Sequence, residues 1–385
     1  MKNICPKNEC TGCGACAGVC PKDCITITGD EFGYLHPVID NNICINCGLC
    51  HKTCPNNQKV KFTYPQNAFA AWAFDDEERE SSTSGGVASV LARKIISDGG
   101  IVYGAVGSGA FCVEHQRIDS ITNIDKFKKS KYVQSYISKD IFKKIKQDLK
   151  DGKTVLFTGT PCQTAAAKAI SNGNEHLICV DIVCHGVPSQ QILKDHIRMV
   201  VGNITDRITS FTTRDSKGYF ITLYIGNNTV YRKPFPDDEY LNAFQYGLFN
   251  RPSCYNCKFA KPQRQSDLTI GDFWGLGKTK YPHHKVSVIL VNSKRGLDLL
   301  EKVNSKLFLD ERSVNEAIQG NAQLKAPSVK HASYDLFRKL YVADGYKIAI
   351  KRSLRKFYIK HRVYKFCTKF PGFNFIYAIK NRITK

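Results

Sequence analysis

The stretch Cys10-Thr11-Gly12-Cys13-Gly14-Ala15-Cys16-Ala17-Gly18-Val19-Cys20-Pro21 recurs as Cys44-Ile45-Asn46-Cys47-Gly48-Leu49-Cys50-His51-Lys52-Thr53-Cys54-Pro55. Thiolates separated by two residues can bind one metal centre from a single turn, and a third at the same spacing completes a pocket around one corner of an iron–sulfur cubane. The fourth thiolate, next to proline, is directed away and reaches the other centre. The spacing therefore predicts two 4Fe-4S clusters. One is held by Cys10, Cys13, Cys16 and Cys54, the other by Cys44, Cys47, Cys50 and Cys20. Gly12, Gly14 and Gly48 let the backbone wrap close and aim amide N–H groups at the sulfurs. A zinc site would account for one such run but not for two runs with both prolines. Cys5 and Cys24 fall outside the pattern and are expected to be buried or free thiols.

Working outward, ten of the 17 cysteines in this 385-residue chain lie within its first 54 positions. A secreted disulfide scaffold is usually short and carries an export signal, so metal or redox chemistry is the better explanation here. The opening MKNICPKNEC is not a signal peptide. No run of about 18 apolar residues occurs, so a cytoplasmic chain without a transmembrane helix is expected. Lys and Arg number 56 against 34 Asp and Glu, a formal charge of +22. Such a balance favours anionic partners: a nucleotide, a membrane surface, an acidic ferredoxin or a phosphorylated glycan.

Past residue 66 the texture changes to strands alternating with helices. Strands are read at 68–74, 101–106, 154–159, 176–184 and 286–291, and helices at 140–150, 163–170, 189–200 and 238–248. Ser81 to Ser84 read as an N-cap cluster before Gly85-Gly86 and a helix that Gly99-Gly100 ends. Residues 208–233 read as a hairpin turning at Gly226-Asn227. This order predicts an α+β ferredoxin-like head (1–62), expected to fold apart from the body. An α/β domain with a mostly parallel sheet follows (66–335). The last 41 residues (345–385) hold twelve Lys or Arg and no acid, with Ile350, Leu354, Phe357, Tyr358 and Tyr364 at helical spacing. They predict a basic amphipathic tail, docked on the body or lying on an anionic membrane.

Four body cysteines sit in Thr158-Gly159-Thr160-Pro161-Cys162-Gln163, Cys184-His185-Gly186-Val187-Pro188 and Cys254-Tyr255-Asn256-Cys257. Cys162 and Cys184 lie just beyond strand ends, where ligands bind in open α/β sheets. Four thiols from three places suit a third 4Fe-4S cluster or a zinc ion, and spacing alone leaves both open. The set SSTSGGVAS (81–89), KSKYVQS (129–135), TGTPCQ (158–163), CHGVPS (184–189), RPSCYNCKFA (251–260) and SDLTIGDFWG (266–275) resembles the coenzyme F420 hydrogenase/dehydrogenase beta subunit family. The first 55 residues resemble a bacterial two-cluster ferredoxin domain. The family resemblance implies FAD, with a cluster on Cys162, Cys184, Cys254 and Cys257 beside it. It also implies electron exchange with a hydride-accepting or hydride-donating small molecule and with a carrier such as ferredoxin.

For the flavin, Ser84, Gly85 and Gly86 open a helix whose N–H groups and dipole can face a pyrophosphate. Lys131, Tyr132 and Ser135 offer charge, stacking and a hydroxyl. Gly159 and Thr160 allow close backbone approach, and His185 can donate a hydrogen bond. Asp272 and Trp274 lie on a glycine-bounded turn. No Rossmann glycine fingerprint is present, and no catalytic residue stands out. The reading is a cytoplasmic, or membrane-peripheral, F420-type reductase or dehydrogenase. Its alternatives are a flavin-dependent reductase in a polysaccharide or membrane-linked pathway and a non-catalytic electron-transfer subunit. Nucleic acid is not an expected partner, because aromatic–basic interleaving is confined to the tail.

Overall fold

The computed structural model describes residues 3–368, apart from Ala110, Ser216 and Pro282. The part of the basic tail at 369–385 lies outside the described residues. In the cysteine-rich segment, helix Ala15–Val19 precedes strands β1 (Ile25–Gly29) and β2 (Leu35–Ile39), an antiparallel pair, and helix Leu49–Thr53 follows. Each short helix starts directly after a glycine in left-handed backbone, Gly14 (φ 79°) and Gly48 (φ 74°). A side chain there would be strained, and a Cβ on Gly14 would lie 2.7 Å from the Ile137 carbonyl oxygen.

The body contributes β3 (Asn67–Ala73), β4 (Ile101–Ser108), β5 (Cys112–Ile118), β6 (Val155–Gly159) and β7 (Leu177–Ile182). A separate three-stranded antiparallel sheet holds β8 (Ser210–Thr212), β9 (Phe220–Ile225) and β10 (Asn228–Pro234). Then come β11 (Leu268–Asp272), β12 (Ser287–Val291) and β13 (Leu307–Arg312). The large sheet runs β13-β3-β12-β11-β7-β6-β4-β5. Its centre, β11-β7-β6-β4, is parallel. The flanking pairs are antiparallel, so the sheet is mixed where a mostly parallel one was expected. Only three residues separate β4 from β5, too few for a parallel crossover. Central strands read as continuous apolar runs because both faces are covered: Val155, Leu156 and Phe157 are fully buried.

Gly86 caps helix Val87–Ser97, in left-handed backbone and without a side-chain cap bond. The serines expected to cap it are used differently: Ser82 ends helix Asp76–Ser81 and Ser84 bonds to Ser287.

The head does not fold apart. Phe32 and Tyr34 enter a core with Leu193, Ile197, Phe249 and Phe337, while Cys13 and Ala15 enter another with Ile137, Phe142 and Phe157. Tyr34 donates its hydroxyl proton to the Phe249 carbonyl at 2.6 Å. So short a segment has too little apolar surface of its own and borrows the body's. Helices Tyr334–Asp344 and Tyr346–Ser353 complete the first core through Phe337, Leu340, Tyr346 and Ile350. Helix Arg355–Cys367 docks through Tyr358, bonded to Asn242, and through His361 and Lys365, both on Asp237.

Candidate metal centres and the adjoining sheet edge

Helix Leu49–Thr53, the loop before it and the turn after Cys20 line a small cavity. Cys20, Cys44, Cys47 and Cys50 line it, together with Ile39, Ile45 and Leu49. Cys47 is the exposed member of this group. Cys24 joins the lining, its sulfur 3.3 Å from that of Cys20. The other motif cysteines also gather. Burial pushes the Cys13 thiol up to about 11 and Cys16 higher still, and both feel charge on Cys10 and Cys54. A thiol hydrogen bond from Cys5 is the main influence holding both Cys10 and Cys54 below the ordinary thiol value. Each group of motif cysteines thus has a further thiol against it, which the motif spacing alone did not reveal. Among the described residues no three His, Cys, Asp or Glu are placed to hold a single ion.

In the body, β6 runs into helix Pro161–Ile170, which Thr160 caps in a reciprocal box with Gln163. Cys162 stands in its first turn, and Cys184 follows the end of β7. Because β6 and β7 are parallel neighbours, both ends lie at one edge. The 3-10 turn Pro252–Asn256 brings Cys254 and Cys257 to the same place. All four cysteines line one cavity, which Thr11 of the head and Arg251 also border. Burial pushes Cys184 and Cys254 up to about 12 and raises Cys257 as well. The Cys184 sulfur accepts the Gly186 N–H at 3.4 Å. Four soft donors around a void, with a backbone donor aimed at one of them, fit an iron–sulfur cluster.

The same edge carries the residues singled out for a flavin. Gly85 donates its N–H to Ser287 Oγ at 2.9 Å, and Ser287 donates to Ser84 Oγ at 2.9 Å. Thr83 Oγ1 accepts the Ser130 N–H, and Thr213 Oγ1 bonds both the Ser130 carbonyl and the Tyr132 N–H, tying three loops together. Lys131 is half-buried, yet its ammonium is enclosed and donates to the carbonyls of Lys128 at 2.9 Å and Lys129 at 3.1 Å. Burial brings it down to about 8, and among the described residues no carboxylate pairs with it. An enclosed cation with carbonyls but no counter-charge is what a phosphate-bearing ligand would meet. Gly159 packs against Gln163 and His115, where a Cβ would lie 3.0 Å from Gln163 Oε1. Ser135 is buried and its hydroxyl accepts from Gln163, so it braces the capping box from behind. His185 sits edge-on to Phe244, and its Nε2 is 3.0 Å from the Gln245 carbonyl oxygen.

Sequence reasoning missed most of the neighbours of these residues. Tyr132 stacks on Phe244 at 4.8 Å, Tyr219 stacks on Trp274 at 6.4 Å, and Arg214 lies over Tyr219 while ion-paired to Asp272. Arg214 Nε is buried without a hydrogen-bond partner. Phe244, Tyr219 and Arg214 lie on a helix and a hairpin whose placement over this edge has no local signature. Residues 152–317 match the family described as the C terminus of the coenzyme F420 hydrogenase/dehydrogenase beta subunit, a shorter span than 66–335. Residues 9–58 match the 4Fe-4S dicluster domain. No curated protein matches the chain in sequence. Among solved structures it is similar to a chain of the F420-reducing NiFe hydrogenase complex from Methanosarcina barkeri, with 17% identity and a TM-score of 0.47, covering 78% of this chain and 93% of that one.

Proposed function

We propose, from the match of residues 152–317 to the coenzyme F420 hydrogenase/dehydrogenase beta subunit family and of residues 9–58 to the 4Fe-4S dicluster domain, that the chain is an iron–sulfur flavoprotein oxidoreductase. It exchanges electrons between a carrier protein such as ferredoxin and a hydride-accepting or hydride-donating small molecule of the F420 type. The observation that carries this reading is the meeting of Cys162, Cys184, Cys254 and Cys257 on one cavity that also reaches Thr11 of the head.

When bound, the clusters move single electrons and the flavin links them to two-electron hydride chemistry. The chain's own residues do the rest. Cys10, Cys13, Cys16 and Cys54 hold one head cluster, and Cys20, Cys44, Cys47 and Cys50 the other. The exposure of Cys47 supports a surface position for the latter, and Thr11, which borders the cavity of the body cysteines, supports a position beside it for the former. The Lys131 ammonium neutralises a phosphate. Ser84, Gly85, Gly86, Gly159 and Thr160 present backbone at the sheet edge, Ser135 braces Gln163, and Tyr132 and His185, packed on Phe244, would offer aromatic contact to a flavin. The division into 1–62, 66–335 and 345–385 is part of the same reading.

Anaerobic metal, sulfide and flavin analysis tests it. Three cubanes require about twelve iron and twelve sulfide per chain, and one FAD is expected with them. Flavin-free protein with full iron would make the chain an electron-transfer subunit. Colourless protein holding zinc would end the proposal, and failure of dithionite-reduced protein to bleach F420 would remove that substrate. One observation favours a membrane- or glycan-linked substrate: helix Arg355–Cys367 turns Ile359 and Val363, 53% and 57% exposed, away from the body among Lys356, Lys360 and Arg362. Flotation with anionic vesicles, but not with neutral ones, is the outcome that would support it.

A further inference from the structure

Arg251 is only 1% exposed and is the largest fully buried side chain among the described residues. Its guanidinium reaches into the head. Nε donates to the Cys10 carbonyl at 2.6 Å, Nη2 donates to the Leu35 carbonyl, and Nη1 donates to Gln134 Oε1 at 3.1 Å. Gln134 in turn donates to the carbonyls of Thr11 and Gly12, so the two side chains grip the loop that carries Cys10 and Cys13. There is no slack in this contact, since a Cβ on Gly12 would lie 2.8 Å from Arg251 Nη1. On its other side Arg251 borders the cavity of Cys162, Cys184, Cys254 and Cys257, and its carbonyl accepts the Cys254 N–H at 2.8 Å.

Among the described residues no carboxylate pairs with this guanidinium. Carbonyl and amide oxygens satisfy its donors but do not cancel its charge, and a buried uncompensated charge costs several kcal/mol. The groups on either side of it are thiols, Cys10 of one proposed cluster and Cys254 of another. By contrast, the outer cavity of Cys20, Cys44, Cys47 and Cys50 does not include Arg251 in its lining.

We infer that Arg251 is the shared counter-charge of the two inner clusters, the one on Cys10, Cys13, Cys16 and Cys54 and the one on Cys162, Cys184, Cys254 and Cys257, and that it sets their reduction equilibria together. This rests on the reading of the body cysteines as cluster ligands. Reduction adds negative charge to each cluster, so a fixed cation beside both favours both reduced forms. Arg251 touches no substrate; it is a positioning residue acting through charge.

The test is a redox titration of anaerobically purified full-length protein, followed by electron paramagnetic resonance, on wild type, Arg251→Gln and Arg251→Lys. In Arg251→Gln both inner clusters should become at least tenfold harder to reduce, a fall of about 59 mV each for a one-electron couple, with the outer cluster unmoved. If Arg251→Gln instead loses iron, the loss should be confined to the two inner sites. Arg251→Lys keeps the charge without the fork and should restore most of both shifts. The inference is overturned by no shift, by a shift in one inner cluster only, by an equal shift in all three, or by Arg251→Lys behaving like Arg251→Gln. Wild-type protein with only eight irons would instead overturn the proposed function.

Discussion

The enclosed ammonium of Lys131 gives the sharpest prediction for flavin binding, because its effect has opposite signs with and without the ligand. Burial lowers Lys131 from the ordinary 10.5 to about 8. A displacement of that size corresponds to roughly 3 kcal/mol by which the fold disfavours the charged amine. Lys131→Met removes that penalty but also the bonds to the Lys128 and Lys129 carbonyls, worth about 1 kcal/mol each at most. The net expectation is a flavin-free protein about 1–2 kcal/mol more stable than wild type at pH 7. The sign with pH follows from the lowered value. The penalty is complete below about pH 8 and disappears as pH rises from about 8 towards 10.5. Wild type should therefore close the gap on the variant over that window. With flavin the order reverses, since a lost charge-assisted bond to phosphate costs about 1.5–3 kcal/mol, or roughly ten- to a hundredfold in affinity. Denaturation midpoints of flavin-free, cluster-loaded protein at several pH values, together with flavin titrations by fluorescence, measure both halves. A variant that is less stable without flavin, or that binds flavin as tightly as wild type, refutes the assignment of Lys131 to a phosphate.

Three further outcomes are expected. Cys257→Ser should lower iron from about twelve to about eight per chain while the head spectrum persists; unchanged iron would remove Cys257 from the ligand set. Cys47→Ala should empty the outer site and stop reduction by ferredoxin with flavin still bound, and loss of flavin would mean the outer site supports the body fold. Tyr34→Phe leaves the buried Phe249 carbonyl unpaired and should destabilise the protein by about 1–3 kcal/mol, read as a lower denaturation midpoint; a change below the resolution of that measurement would show that the junction of head and body does not depend on this bond.

The cysteine runs were legible in the sequence because their information is local: two residues between thiols and a proline after the fourth describe a turn, whatever surrounds it. Apolar runs such as Val155 to Phe157 and the motifs at Cys162 and Cys184 were legible for the same reason. Strand order was not. Antiparallel β5 (CVEHQRI) and β13 (LFLDER), at the sheet edges, each hold a run of polar residues and carry weak strand signals, so the sheet read as more parallel than it is. The role of Ser84 was missed because its partner, Ser287, is 203 positions away.

Taken alone, the sequence determined which residue types could hold metal and that two groups of them sit near the start of the chain. Tertiary structure decided which distant residues share a site. It put Cys162, Cys184, Cys254 and Cys257 on one cavity, set Cys5 and Cys24 against motif cysteines, and buried Arg251 between head and body. The physical reason is range. A turn is specified by its own few residues, whereas the meeting of loops from parallel strands follows from how the whole sheet is ordered and packed.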